Sequence, residues 1–198
     1  MAIKKSYEIL KILLKDTGKK HTVTSLSKER KISRVGSWKL LKELEKENFI
    51  ILTPIGHEKT SVREVSLNWD NPLVEKTVAL VLTEEALKQN KWRYNFKELE
   101  NSVDFLLLFG SILHSPKEAN DIDVISLVSN EENFVRIGKI IANIQLTQDK
   151  KIHAINLTKE ELKQEIKNKN KAYIEALKKG IVLFGQENFI KFIEEITK

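Results

Sequence analysis

At 198 residues, with 41% hydrophobic and 31% charged side chains, the chain has the composition of an ordinary globular protein of one large domain or two small ones. Its apolar runs, of which Phe105 to Phe109 is among the longest, fall far short of the roughly 20 residues needed to cross a bilayer. The start of the sequence has no long apolar stretch of the signal-peptide kind, so a cytoplasmic location and no membrane partner are expected. Cysteine is absent, which excludes disulfides, zinc fingers and thiol nucleophiles and leaves oxygen or imidazole to hold any metal. The four histidines have no close ligand-like spacing, and a structural zinc site is not expected.

The net charge of +6 is unevenly distributed. Residues 1–70 carry 15 Lys+Arg against 9 Asp+Glu, the whole excess of six, and residues 71–198 carry 19 of each. A basic first third is the footprint of a polyanion binder, because each neutralised phosphate releases condensed counterions. A Lys/Glu-rich solvated surface would give the same balance.

In chain order, Ile3, Tyr7, Ile9, Leu10, Leu13 and Leu14 recur at helical spacing, and Asp16-Thr17-Gly18 ends that helix. Thr22 or Thr24 caps a second helix to about Lys31, burying Val23 and Leu26. Ser33 caps a third, with Val35, Trp38, Leu41 and Leu44 on one stripe and Trp38 expected in the core. Ile50 to Leu52 and Val62 to Leu67 read as two strands joined by a turn over Pro54 to Thr60. Three helices followed by a hairpin within residues 1–70 is the order of a winged helix-turn-helix. The third helix would then enter the major groove of double-stranded DNA. Ser33, Arg34, Ser37 and Lys39 are its exposed candidates, Arg34 first because its fork matches guanine O6 and N7. Lys59 and Arg63 lie on the hairpin, where a wing meets phosphate or the minor groove. Lys42 and Lys46 read as solvated or phosphate-facing, and the competing reading of the whole module is a protein-interaction winged helix.

Residues 71–99 read as a connecting helical segment, with the alternation of Trp92, Tyr94 and Phe96 allowing a short extended piece. Residues 100–198 alternate strands and helices: strands at 103–109, 122–128, 151–157 and 181–184, and helices at 133–144, 159–178 and 188–196. The expected class is α+β, with a small mixed sheet in the second domain.

The chemistry sits between the first two of these strands. A strand ends in Phe109-Gly110-Ser111, nine residues follow, and Asp121-Ile122-Asp123 opens the next strand. Glycine allows a tight turn and a close approach to a ligand. Ser111 and the amides after it can hold phosphate oxygens, and residues two apart on a strand face the same way, so Asp121 and Asp123 project together. Paired carboxylates repel unless a cation lies between them, and Mg²⁺ suits two such oxygens plus phosphate.

This pattern resembles the signature of minimal nucleotidyltransferases of the polymerase-beta superfamily, and Ala176 to Gly185 is similar to the segment with which many minimal members close. The resemblance, over about residues 100–190, implies Asp121 and Asp123 as catalytic residues and Mg²⁺ ligands. It implies Gly110, Ser111, His114 and Asn120 as the nucleotide-binding loop, and a nucleoside triphosphate as substrate or ligand. The chain departs from the family at His114 and Ser115, where arginine and glycine are usual. It also lacks the third carboxylate, the general base and second metal ligand. The corresponding strand, Lys151 to Leu157, contains no acid; His153 or Asn156 stands there, and Asp149 or Glu160 would need a shifted register. Two functions follow as expectations. One is a DNA-binding regulator, as a homodimer, whose second domain binds nucleotide with weak or no catalysis. The other is an active transferase of a nucleoside monophosphate onto a protein or small-molecule hydroxyl, resembling antitoxins that modify a partner toxin.

Overall fold

The computed structural model describes residues 2–56, 62–130 and 132–197, with the side chains of residues 2–5 excepted. It is α+β and divides into two compact units, Met1–Val81 and Leu82–Lys198. No helix among the described residues is long and apolar enough to cross a membrane.

The first unit begins with α1 (Ala2–Lys15), which buries Ile9, Leu10, Leu13 and Leu14. A two-residue strand β1 (His21–Thr22) follows, too short to give a sequence signal, and leads directly into α2 (Val23–Glu29). Thr22 and Ser25 form a reciprocal capping box there, satisfying two backbone donors that a helix start otherwise leaves bare. The chain turns through Arg30 to Ile32, with Lys31 at φ 52°, and Ser33 caps α3 (Arg34–Lys46) by accepting from the Gly36 amide. Strands β2 (Ile50–Pro54) and β3 (Arg63–Leu67) pair antiparallel, and β3 also pairs with β1, giving the order β1-β3-β2. Along β2 and β3 the buried residues Ile50, Leu52, Val65 and Leu67 alternate with exposed or half-buried ones, as in a sheet with one covered face.

The division between the units falls within α4 (Pro72–Leu87). In the second unit, α5 (Asn90–Asn95) and a 3₁₀ turn (Lys97–Leu99) replace the extended piece that the aromatic alternation allows. Trp92 and Phe96 lie one helical turn apart and are buried, while Tyr94 is 84% exposed. A four-stranded sheet follows in the order β6-β5-β4-β7, from β4 (Phe105–Phe109), β5 (Asp121–Val128), β6 (Lys151–Thr158) and β7 (Ile181–Phe184). Strand β4 is antiparallel to both neighbours, whereas β5 and β6 are parallel and are linked by α6 (Glu132–Gln145).

Alternation splits the sheet residues between two covered faces. Leu106, Leu108, Ile122, Val124 and Ile152 join Trp92, Phe96 and Ile137 in one cluster. On the other face Phe105 meets Phe189 edge-on at 5.3 Å and Phe192 at 5.9 Å. The single polar helix expected at 159–178 is two helices, α7 (Lys159–Lys167) and α8 (Lys171–Lys179), before α9 (Gln186–Thr197). Lys169 at φ 57° breaks it and Asn170 re-caps the chain through the Ala172 amide. Lys159 and Lys163 on α7 both pair with Glu195 on α9, and their hydrogen bonds hold the Glu195 carboxyl below its ordinary range.

Candidate functional site

The buried hydrophobic strand β4 delivers the chain to Gly110, whose φ of 83° and ψ of −165° belong to a region that only glycine enters at low cost. A Cβ there would lie 2.2 Å from Asp123 Oδ2. The backbone conformation demands glycine, and a methyl there would force the Asp123 carboxylate aside. Beyond it, Ser111–Leu113 form a single 3₁₀ turn, anchored by Ile112, which is buried. The Ser115 amide donates to the Ser111 carbonyl and the Ala119 amide to the Ser115 carbonyl, and buried Ala119 brings the loop back to β5. One 3₁₀ turn has little of the dipole that a full helix would aim at a phosphate. Ser111, His114 and Asn120 are exposed on this loop.

Asp121 and Asp123 open β5, half-buried, two residues apart on one face. Asp123 lies in register between Phe109 on β4 and His153 on β6, and His153 Nδ1 is 3.2 Å from Asp123 Oδ1. Of the residues considered for the third carboxylate position, His153 is therefore the one beside the pair. Asn156 has opposite parity on β6, is in register with Ser126, and belongs to the other face. Glu160 follows the far end of β6, which pairs Val128 with Thr158, more than 20 Å from Asp121 at about 3.3 Å per residue. Asp149 lines an open cleft with Ile112, Ile122 and Lys150, on the side of the sheet that Ile122 faces. Lys151 pairs in register with Asp121, so a cation rather than an acid flanks the first aspartate.

These residues fit a Mg²⁺ site poorly. Two carboxylates share a face, but among the described residues neither a third acid nor His153 joins them in a group with one ligand atom each within 4.8 Å of the others. Among the described residues the group that meets this spacing is Asp16, His21 and Glu29, in the first unit. Nothing in the linear spacing of those three signals a cluster, because a loop and a helix separate them.

The steric role of Gly110 leads to a direct expectation. Gly110→Ala costs about 1–3 kcal/mol in chemical denaturation, from backbone strain plus the clash with Asp123. In an Asp123→Ala background the strain remains but the clash is gone, so the same substitution costs less there. Equal costs in the two backgrounds would show that the carboxylate is not what excludes the Cβ.

The α3 surface differs from its sequence reading by a rotation. Its buried stripe is Ser37, Leu41 and Leu44, spaced i, i+4, i+7. Ser37, expected among the exposed DNA contacts, is wholly buried, and its Oγ has no hydrogen-bond partner. Trp38, expected in the core, is 36% exposed with the Lys42 ammonium 5.0 Å from its ring centroid, and Val35 is 66% exposed. Ser33, Arg34 and Lys39 are exposed, and Arg63 is half-buried at the start of β3. Lys59 lies outside the described residues, as does His57. The chain matches no protein-family model, no curated protein and no solved structure.

Proposed function

We propose that the chain is a DNA-binding regulator of winged helix-turn-helix type whose second unit is a nucleotidyltransferase-like domain with weak or no transfer activity. The observation that carries the first half is the outer face of α3. Ser33 caps the helix, and Arg34, Val35, Trp38, Lys39 and Lys42 stand exposed around its first turns, on the unit that holds the whole positive excess. Cationic forks and an aromatic at a helix start suit phosphate and base-edge contact. The second half is supported by what surrounds Asp121 and Asp123: an imidazole and a lysine on β6 where a transferase needs a carboxylate. Without that group the attacking hydroxyl lacks a carboxylate base and one metal loses a ligand. A homodimer reading a two-fold site belongs to the same proposal.

The test is fluorescence anisotropy with mixed-sequence duplex DNA. Binding is expected at about 50 mM salt and to weaken steeply toward about 200 mM. Arg34→Ala should cost about 1–3 kcal/mol if the guanidinium reads a base. No binding to any duplex at low salt removes the proposal. A second reading, transfer of a nucleoside monophosphate to a hydroxyl, draws support from the contact between His153 and Asp123, since an imidazole held by a carboxylate is a competent base. Labelled-ATP transfer that Asp121→Asn abolishes would favour it over the first; titration of ATP with and without Mg²⁺ shows whether the loop binds nucleotide at all.

A further inference from the structure

Between α1 and β1 lies a polar cluster that neither reading above uses. Asp16 follows the last turn of α1, with its amide donating to the Ile12 carbonyl at 3.0 Å. His21 opens β1 and is fixed there by its register with Val65 on β3. Glu29 ends α2. Asp16 and His21 are 5% and 4% exposed, and one ligand atom from each of the three residues lies within 4.8 Å of the others. Two carboxylates this close, one of them buried, repel unless positive charge lies between them.

Here a lysine supplies that charge. Lys19 Nζ is 2.9 Å from Asp16 Oδ2 and 3.2 Å from Glu29 Oε2. The hydrogen bond that the ammonium donates to Asp16 raises its pKa above the ordinary 10.5, with burial opposing and Glu29 adding to the rise. Lys19 thus holds the place of a cation between the two carboxylates, and the His21 imidazole stands beside them. His21 Nε2 lies 3.7 Å from Asp16 Oδ2 and 3.1 Å from the Asp16 carbonyl oxygen, and its Nδ1 is buried with no hydrogen-bond partner. An imidazole nitrogen beside two carboxylates is a ligand set for a metal. The Lys19 side chain is 44% exposed on a flexible stem, so its head can move into water and leave the seat.

We propose that Asp16, His21 and Glu29 bind a divalent first-row transition cation, such as Zn²⁺, which displaces the Lys19 ammonium from between the two carboxylates. One nitrogen and two oxygens suit such ions better than Mg²⁺ or Ca²⁺, which prefer oxygen alone. Bonds of about 2.0–2.2 Å put tetrahedral ligands roughly 3.4 Å apart, a spacing that His21 Nε2 and Asp16 Oδ2 approach at 3.7 Å. Water completes the coordination, and the neutral imidazole binds through Nε2, giving up its hydrogen bond to the Asp16 carbonyl and carrying its proton on Nδ1 instead. The ion ties α1, β1 and α2 together immediately before the turn that leads into α3.

The test uses the full chain free of any histidine tag, with Co²⁺ as the spectroscopic probe and Zn²⁺ in calorimetry. Wild type should bind one Co²⁺ with visible d–d absorption. Glu29→Gln, at the end of α2, should weaken binding at least about tenfold, as lost metal contacts do. Lys19→Met removes the competing cation and should tighten binding by about the same factor. Circular dichroism establishes that each variant is folded. No d–d spectrum in either wild type or Lys19→Met at millimolar Co²⁺ overturns the site, leaving Lys19 as its permanent cation. Binding that Glu29→Gln leaves unchanged, or that Lys19→Met does not tighten, overturns it as well.

Discussion

Gly185→Ala should lower the free energy for opening the second unit by more than about 3 kcal/mol, well beyond the effect expected at Gly110. Both glycines have positive φ, 74° at Gly185 and 83° at Gly110, so both carry backbone strain when substituted. They differ in what the new methyl meets. At Gly110 it meets the end of the Asp123 carboxylate, which can swing aside. At Gly185 it meets the Asp104 carbonyl oxygen at 2.0 Å and Phe105 Cα at 2.7 Å, which are main-chain atoms. That stretch of main chain is pinned from several directions. The Asp104 amide donates to the Leu127 carbonyl at 2.8 Å, Asn188 Nδ2 donates to the Asp104 carbonyl at 2.9 Å, and Ser129 Oγ donates to the Asp104 carboxylate. Relief therefore requires β4 to part from β5 or the turn before α9 to open. Hydrogen exchange of the β4 amides reads this directly, each tenfold loss of protection being about 1.4 kcal/mol. Unchanged protection at Leu106 to Leu108 would show that the turn yields without disturbing the sheet.

Phe105→Ala tests the same face by removing volume instead of adding it. Phe105 is fully buried and its ring contacts both Phe189 and Phe192, tying β4 to α9 through one aromatic cluster. Truncation leaves a cavity between a strand and a helix that are both fixed by other contacts, and the expected loss is about 3–5 kcal/mol. The effect should appear in the exchange of β4, β7 and α9 amides and spare those of β2 and β3, which belong to the other compact unit. A loss below about 1 kcal/mol would mean that the helix collapses onto the vacated space.

Much of this was legible in the residues because the signals were local. Apolar runs marked β4 and β5, Ser33 marked the start of α3, and the spacing of Asp121 and Asp123 put both on one face. Ser37 was not legible: a small hydroxyl residue buried on a helix carries no apolar signal, and the neighbouring Val35 and Trp38 drew the stripe toward themselves. The break at Lys169 escaped for a related reason, since a lysine with positive φ supplies neither the glycine nor the proline by which helix ends are recognised. His153 was named as one of two residues near the aspartates, and only strand register separates it from Asn156. The cluster of Asp16, His21 and Glu29 depends on β1, whose two residues are placed by pairing with β3 rather than by any pattern of their own.

The order of the larger sheet also sets a timetable for the chain as it is made. Strand β4 takes one neighbour soon after its own synthesis, but its other edge waits for β7, which begins at Ile181, 72 positions beyond Phe109. Until then a run of five apolar residues, Phe105 to Phe109, presents an unpaired edge. The hairpin of the first unit joins strands only eight residues apart, and this low sequence separation favours rapid formation. A nascent chain thus carries a finished basic head while its second half remains open to wrong pairing, and that interval is where chaperone dependence should be sought.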